Sequence, residues 1–484
     1  MSSGNGNYRI LGTRPRRHDG VEKVTGSAIY GNDVQLPGLL AGFILRSPHA
    51  HARIKSVDAS EAEALPGVYA VVTSADWPET SMKLTDLAEG SIHNLGFLSM
   101  NILARGKALY KGHPVAAVAA VSPHVAEEAM AKIKVDYEVL KPVLTAEEGM
   151  KADAPILHDR LAAVTNPALR PGGLLEDDAE SMQTNISNRF EFSLGDVEQG
   201  FKDADIIVEK ETTTQAVHQG YIEPQAGVAH WQTDGNVTIW SSSQGQFTVR
   251  DQTARFLGIP VSRVKAIPME IGGGFGAKGI TYVEPGAARP VKIQLTRIEV
   301  FEGTGPTSGT QIKVKLGATK DGKLIAAEAE LIYEAGAFPG SPVTAGIQCM
   351  MGQYDIPNAH LKALDVVINR PKAAAYRAPG APAAAFCMET ALDELAEKLG
   401  IDPLEFRLMN SGKEGSRRVT GPVNPLVGYI ETLQAAKDHQ HYNTKLDGKL
   451  RGRGVASGFW GNNSGPASAV AVVNSDGTIS LPEG

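Results

Sequence analysis

Cysteine is nearly absent. Only Cys349 and Cys387 occur in 484 residues, too few for a four-cysteine zinc or iron–sulfur site. One disulfide could join them, but two reduced thiols of a cytosolic protein are the expected state. Long apolar runs are lacking too, and nothing approaches the ~20 residues that span a bilayer. The opening stretch MSSGNGNYRILGTRPRR has no apolar signal core. The expected location is therefore cytoplasmic. Basic charge is not in excess: 47 Lys and Arg stand against 54 Asp and Glu, a formal net charge of -7. Nothing in that balance favours nucleic acid or an anionic membrane. No Ser–His–Asp set or nucleophile elbow is visible.

Glycine and proline are plentiful, at 52 and 28, and hydrophobic residues make up 42%. That composition predicts a turn-rich globular chain rather than a helical bundle. Residues 1–17 read as a polar arm. Residues 18–141 alternate short strands and turns around one clear helix. GLLAGFILRS, GVYAVVTSAD and HPVAAVAAVS are the strands, and Pro123 opens the helix whose apolar residues Val125, Ala129, Met130 and Ile133 recur at helical spacing. VDYEVL follows as another strand. Residues 142–187 read as a linker, with Pro142, Pro155, Pro167 and Pro171, Gly172–Gly173 and an acidic cluster from Glu176 to Asp178.

A second region spans 188–410. FEFSLG, DIIVEKETTTQ, GVAHW, VTIWSSS and RVKAIPMEI are strand-like. TVRDQTARFLG is a short helix closed by Gly258. KVKLGATKDGKLIAAEAELIYEAG is a hairpin turned at Asp321–Gly322. FCMETALDELAEKLG is the strongest helix, and Asp402–Pro403 starts the next. Residues 411–484 carry a helix around TLQAAKDHQ and then GRGVASGFW and SAVAVVNSDGTISL, both read as strands. The last is strand-like for only a few residues, so the fold is expected to be incomplete at its C-terminus.

The most distinctive stretch is Ile271 to Lys278, IGGGFGAK, which follows a strand and holds four glycines. Such a loop can take positive φ, approach a ligand closely and offer N–H groups to anionic oxygens. Gly272, Gly274 and Ala277 fit a dinucleotide fingerprint, but Pro285, Gly286 and the strand PVKIQL leave no room for the required helix. A Walker loop fails at Ala277 and Gly279. A tight structural turn and a loop against some other cofactor both stay open.

Several segments, in order, resemble the molybdopterin-binding large subunits of the xanthine dehydrogenase and aldehyde oxidase family of molybdenum hydroxylases. They are RHDGVEKVTGSAIYGND (Arg17 to Asp33), RSPHAHARI (Arg46 to Ile54), HQGYIEPQAGVAHW (His218 to Trp231), IWSSSQGQ (Ile239 to Gln246), IGGGFGAK, YRAPGAP (Tyr376 to Pro382) and ALDELAEKLGIDPLEFRLMN (Ala391 to Asn410). Any one is weak, whereas the ordered series is specific. The resemblance implies an α+β fold, with an N-terminal α/β hammerhead domain over 18–141 and a first molybdopterin-binding domain over 188–410. The start of a second molybdopterin-binding domain would occupy 411–484.

It also implies a chemistry. Relatives hydroxylate an aldehyde or an aromatic or heterocyclic C–H carbon with water-derived oxygen, and electrons leave through [2Fe-2S] clusters and FAD. Here those centres would lie on an iron–sulfur small subunit and an FAD-binding medium subunit, in a heterotrimer. The cofactor would be molybdopterin, as its cytosine dinucleotide, carrying molybdenum. Gln244 matches a glutamine near the metal, Phe275 a residue whose backbone lies against it, and Arg377 another residue lining the site. Gly274 and Gly276 flank Phe275 in the same cofactor loop. None of these is expected to ligate the metal directly. Read by themselves, Gln244 is a turn residue capping the following helix, Phe275 a hydrophobic plug and Arg377 a surface cation.

His218 and Glu223 read as pointing to opposite faces of a strand, against a mononuclear metal site. His49 and His51 share a face but lack a third ligand. Four departures from the family stand out. The catalytic glutamate segment is not found, so no catalytic residue is assigned and the chain alone is expected to be inactive. VEPGAARPVKI is shorter than in relatives. Gly279 stands where purine-oxidising members carry a glutamate. Ala378 stands where carbon monoxide dehydrogenases carry a cysteine. The rival expectations are a truncated non-catalytic remnant and one half of a split large subunit.

Overall fold

A computed structural model describes residues 9–10, 13–17, 19–76, 79–80, 82, 84–86, 92–159, 161, 164–165, 184–279, 289–461 and 470–480. Two large sheets organise them. The first has seven strands, in spatial order Val264–Pro268, Val237–Ser241, Ala226–Trp231, Val291–Gln294, Leu40–Arg46, Pro114–Ala120 and Val68–Thr73. Its middle joins distant parts of the chain, because Leu40–Arg46 pairs in parallel with Val291–Gln294. Strands from both sides of residues 142–187 thus share one sheet.

The second sheet has six strands, in the order Ile206–Thr214, Thr310–Ala318, Leu324–Gly336, Asn358–Val367, Ile186–Leu194 and Val164–Thr165. The hairpin between Thr310–Ala318 and Leu324–Gly336 turns at Gly322, whose φ of 87° needs no Cβ penalty. Helix Ala381–Leu399 packs on this sheet. Its buried face, including Ala384, Cys387, Met388, Ala391, Leu392 and Leu395, recurs every three or four residues and joins Val208, Ile312 and Leu331 in the largest core.

Helix ends follow local chemistry. Ser122 accepts from Val125 N–H and Pro123 occupies the first turn. The Asp402 carboxylate accepts from Leu404 and Glu405 N–H groups. Gly258 and Gly400, at φ 65° and 69°, end their helices in the left-handed cap. Strand Pro114–Ala120 is buried at every residue, as its unbroken apolar run predicts. Cys349 and Cys387 are separate buried thiols.

Several readings of the sequence need correction. Residues 18–141 contain more than the one expected helix: Leu95–Ile102 is helical and buries Leu95, Gly96, Phe97, Leu98, Ser99 and Asn101. A helix buried nearly all round leaves no amphipathic period to detect. GRGVASGFW forms no strand. It runs as coil, and the N–H of Ser457 and the carbonyl of Val455 bond to Glu389 and Arg407 instead. Residues 218–223 are also coil, so strand alternation does not govern His218 and Glu223. In the stretch read as a linker, Val143, Leu157 and Leu161 are buried. Gly172–Gly173 and the acidic cluster lie outside the described residues.

Candidate functional site

The first sheet brings three segments to one edge. Gly227 is registered with Ser241, and Ser241 with Pro268. The chain enters Ala226–Trp231 at this edge and leaves Val237–Ser241 and Val264–Pro268 there. Glu223, Gln244 and the glycine loop therefore emerge side by side, each within a few residues of the same row. The loop's base is tied to the N-terminal segment by an ion pair between Lys23 and Glu270 and by an isolated bridge from Tyr30 to Glu270.

Gln244 holds the loop. The N–H of Gly276 donates to Gln244 Oε1 at 2.8 Å, and that of Lys278 to the same oxygen at 3.3 Å. Gln244 N–H donates in turn to the Lys278 carbonyl at 2.9 Å. The helix that follows has Gly245 as its N-cap, without a side-chain bond, so Gln244 ties the loop rather than capping the helix. An amide whose oxygen is engaged by two backbone donors must present its NH2 group elsewhere. Gln244 is exposed, and that NH2 group has no partner among the described residues. Gly274 allows this approach, since a Cβ there would lie 2.5 Å from Gln244 Oε1.

The second sheet supplies the opposite wall. Arg377 N–H donates to the Phe275 carbonyl at 2.8 Å. Gly276, at φ 106°, lies against Ala375, where a Cβ would meet the Ala375 Cβ at 2.6 Å and its carbonyl oxygen at 2.9 Å. Phe275 and Tyr376 stack with ring centroids 6.3 Å apart, and both rings are partly open, at 47% and 38% exposure. Among the described residues, positive φ outside glycine occurs at Phe275 (54°), Arg377 (20°) and Ala378 (57°). Backbone strain of this kind costs about 1–3 kcal/mol per residue and collects at ligand sites. Here it all falls on one cluster.

The five residues singled out in the sequence, Gln244, Gly274, Phe275, Gly276 and Arg377, are thus assembled at one place. The N–H groups of Gly273, Gly274 and Phe275 have no acceptor among the described residues. With the Gln244 NH2 they leave a cradle of unpaired donors on this loop, buried at Gly274 and exposed at Phe275 and Gln244, of the kind that suits an anionic, acceptor-rich group. The carboxylate that the described contacts bring to this loop is Glu223. It is engaged by Lys278 Nζ and Gly272 N–H, both at 2.7 Å. Burial pushes the Lys278 ammonium below its usual range, and Glu223 partly offsets this.

His218 faces away from any metal role. Its Nδ1 accepts from Gly220 N–H, its Nε2 meets Thr304 Oγ1 at 2.9 Å, and burial lowers its pKa to about 4. His49 and His51 lie in a bend before strand Ala52–Asp58, not on a strand face. His51 bonds to the Lys141 carbonyl and His49 packs on Tyr137. The shortened VEPGAARPVKI stretch falls largely outside the described residues. Sequence reasoning passed over the Glu223–Lys278 pair because it joins positions 55 apart, although the glutamate and lysine stood in two of the quoted motifs.

Fold and site together define the class: an α+β subunit built to bind molybdopterin. Residues 25–141 match the aldehyde oxidase and xanthine dehydrogenase a/b hammerhead domain, and residues 179–411 match the molybdopterin cofactor-binding domain. The chain belongs to the molybdopterin-binding large subunits of the xanthine dehydrogenase and carbon monoxide dehydrogenase family. It is 32% identical over 445 residues to the nicotinate dehydrogenase large molybdopterin subunit of Eubacterium barkeri, covering 89% of this chain and 96% of that one. It is 30% identical to the carbon monoxide dehydrogenase large chain of Afipia carboxidovorans, covering 83% of this chain and 50% of the relative. The aldehyde oxidoreductase of Desulfovibrio gigas superposes with a TM-score of 0.75 at 26% identity, over 97% of this chain and 52% of that chain. The chain thus spans about half the length of these last two. No helix among the described residues is long and apolar enough to cross a membrane.

Proposed function

We infer that this chain holds the molybdenum cofactor of an oxidoreductase that hydroxylates an aldehyde or an aromatic or heterocyclic C–H carbon. The observation that carries the reading is the meeting of Phe275 with the Arg377–Ala378 turn, all three at positive φ, on a glycine loop that the Gln244 amide ties. The cofactor, read as molybdopterin cytosine dinucleotide, supplies a two-electron oxidation that leaves a water-derived oxygen on the substrate carbon. The chain's own residues bind and orient it. Gly273, Gly274 and Phe275 offer N–H donors, the Gln244 NH2 offers a fourth, and Arg377 places an exposed cation at the rim. The exposed rings of Phe275 and Tyr376 offer an apolar surface that a bound cofactor would cover on one side.

Proton removal is assigned outside this cluster, since Glu223 is already engaged by two donors. An iron–sulfur small subunit and an FAD-binding subunit are the proposed electron acceptors. A cofactor subunit that works with partner polypeptides is favoured over an inert remnant, because the chain aligns over 96% of the nicotinate dehydrogenase large molybdopterin subunit. That relative also favours an aromatic heterocycle as substrate. Gly279 argues against purines and Ala378 against carbon monoxide.

The test is a metal and nucleotide analysis of the chain purified from its native host with its companion subunits. One molybdenum and one released CMP per chain are expected. Neither metal nor nucleotide in a folded preparation sinks the reading. Dye-linked hydroxylation by the isolated chain sinks the assignment of the base to another segment.

A further inference from the structure

A second set of contacts joins the two ends of the glycine loop. Glu223 Oε2 accepts from Gly272 N–H and from Lys278 Nζ, each at 2.7 Å. Glu223 N–H also donates to the Gly272 carbonyl at 3.3 Å. Gly272 and Lys278 are the two ends of the glycine loop, so a single oxygen atom closes the loop from beneath. The Lys278 side chain is 1% exposed, and its ammonium sits 5.0 Å from the centre of the Tyr221 ring. From Lys278 the contacts pass to the cradle. Its carbonyl accepts from Gln244 N–H and from Ser243 Oγ, and its N–H donates to Gln244 Oε1.

We propose that the Glu223–Lys278 pair is a clasp that positions the Gln244 amide and the Gly273–Phe275 N–H groups toward the cofactor. The proposal rests on the reading of this face as a molybdopterin site. Two features separate it from ordinary packing. Buried ion pairs contribute little net stability relative to apolar residues of similar volume, so stability alone does not call for one here. The second carboxylate oxygen, Glu223 Oε1, is buried without a partner among the described residues. An orphaned buried carboxylate oxygen is a group that calls for an explanation. A shared oxygen does what an apolar pair cannot, because it ties the Gly272 N–H and the Lys278 side chain to one atom. Gly272 permits the approach, since a Cβ there would lie 2.6 Å from the Glu223 Cβ.

Both residues are positioning residues, and their test needs readouts that lost packing would not move. The full chain is purified with its companion subunits as the parent, as Glu223→Gln and as the double variant Glu223→Leu with Lys278→Met. Glu223→Gln keeps an acceptor for Gly272 and removes only the ion pair. The double variant removes both charges and preserves volume. The double variant is expected to melt close to the parent while amides of residues 272–278 exchange roughly tenfold faster or more. Cofactor retention, read as released CMP, should weaken by about 10-fold or more, as when groups orienting metal ligands from behind are lost. The molybdenum(V) EPR signal should broaden into a mixture, and Glu223→Gln should fall between. Parental exchange, CMP content and signal in the double variant overturn the proposal. If that variant does not fold, Glu223→Gln decides alone, and parental values there overturn it. A parent without molybdenum or CMP overturns the cofactor reading instead, and amide exchange still judges the clasp.

Discussion

Gly276 lies where the two walls of the site meet, and Gly276→Ala perturbs that contact directly. Two costs follow. The first is conformational: φ is 106°, where an L-residue with a Cβ is strained by about 1–3 kcal/mol. The second is steric, since the new Cβ would lie 2.6 Å from Ala375 Cβ and 2.9 Å from its carbonyl oxygen. Ala375 has little freedom to retreat. Its carbonyl accepts from Gln219 Nε2 at 2.9 Å, and Ala374 and Ala373 donate to Pro306 and Ala335 at 2.9 and 2.8 Å. Overpacking at such a contact adds roughly 1–3 kcal/mol.

Gly421 separates the two costs. Its φ is 107°, and a Cβ there would meet nothing within 4 Å among the described residues. Gly421→Ala should therefore carry the conformational cost alone. Urea unfolding of the full chain, with equal m-values for parent and both variants, gives the comparison. Gly276→Ala is expected to lower stability by about 1–3 kcal/mol more than Gly421→Ala. It should also weaken the Arg377-to-Phe275 bond and with it cofactor retention. Equal midpoints for the two variants would refute the close packing of the glycine loop on the Ala375 segment.

Three further outcomes follow from other contacts. Arg407, fully buried, pairs with buried Glu389 at 2.9 Å; Arg407→Met should cost about 3–5 kcal/mol in urea unfolding, and a loss under about 1 kcal/mol would show that the pair is solvated. His113 accepts from Leu109 N–H at Nδ1 and bonds Met100 O through Nε2, and burial lowers its pKa to about 3. His158 is likewise lowered to about 4 by burial. Below the unfolded value near 6.5 the unfolded chain binds protons that the folded chain refuses. Stability should therefore fall as pH drops from about 6.5 toward 5, by roughly 1.4 kcal/mol per pH unit per histidine at most; an unchanged slope in His113→Asn would remove His113 from the account. Gln244→Glu keeps an acceptor for Gly276 and Lys278 but loses the outward NH2. It should retain the loop's amide protection and drop turnover of the complex on the order of 10²-fold, and parental turnover would show that the NH2 faces nothing that matters.

Much of the fold is local and was legible. Ser122–Pro123, Asp402–Pro403, Gly258 and Gly322 each act through neighbours within four residues, and each turn or cap forms where the sequence places it. The helix Leu95–Ile102 was hidden because burial nearly all round erases its period. GRGVASGFW reads as a strand by its apolar residues, yet Gly452, Gly454 and Gly458 give a strand little to pack. What holds the segment is a buried charge cluster elsewhere in the chain. The five residues proposed to face the cofactor came from the ordered motif series, not from any pattern of their own. Read alone, Gln244 looked like a cap, and only its bonds to Gly276 and Lys278 show it tying the loop.

The site itself is non-local at every step, and this explains why its support escaped the sequence. Sheet order places Val237–Ser241 between Ala226–Trp231 and Val264–Pro268, so the coil before one strand and the loops after the other two open at a common edge. No spacing rule predicts that the residue two before Gln225 will meet the residue two after Gly276. Yet that meeting, Glu223 with Lys278, fixes the loop from which Gln244 takes its orientation. The opposing wall comes from the second sheet, through a turn where Arg377 and Ala378 take left-handed backbone that their side chains disfavour. Strain on both walls, at Phe275 and at Arg377–Ala378, is sustained only because the two sheets hold these segments from outside. If so, loosening either wall should relax the other: Gly276→Ala should raise amide exchange at residues 375–378 as well as in its own loop. Exchange confined to residues 272–278 would mean that the walls are independent and that the cradle is two surfaces rather than one site.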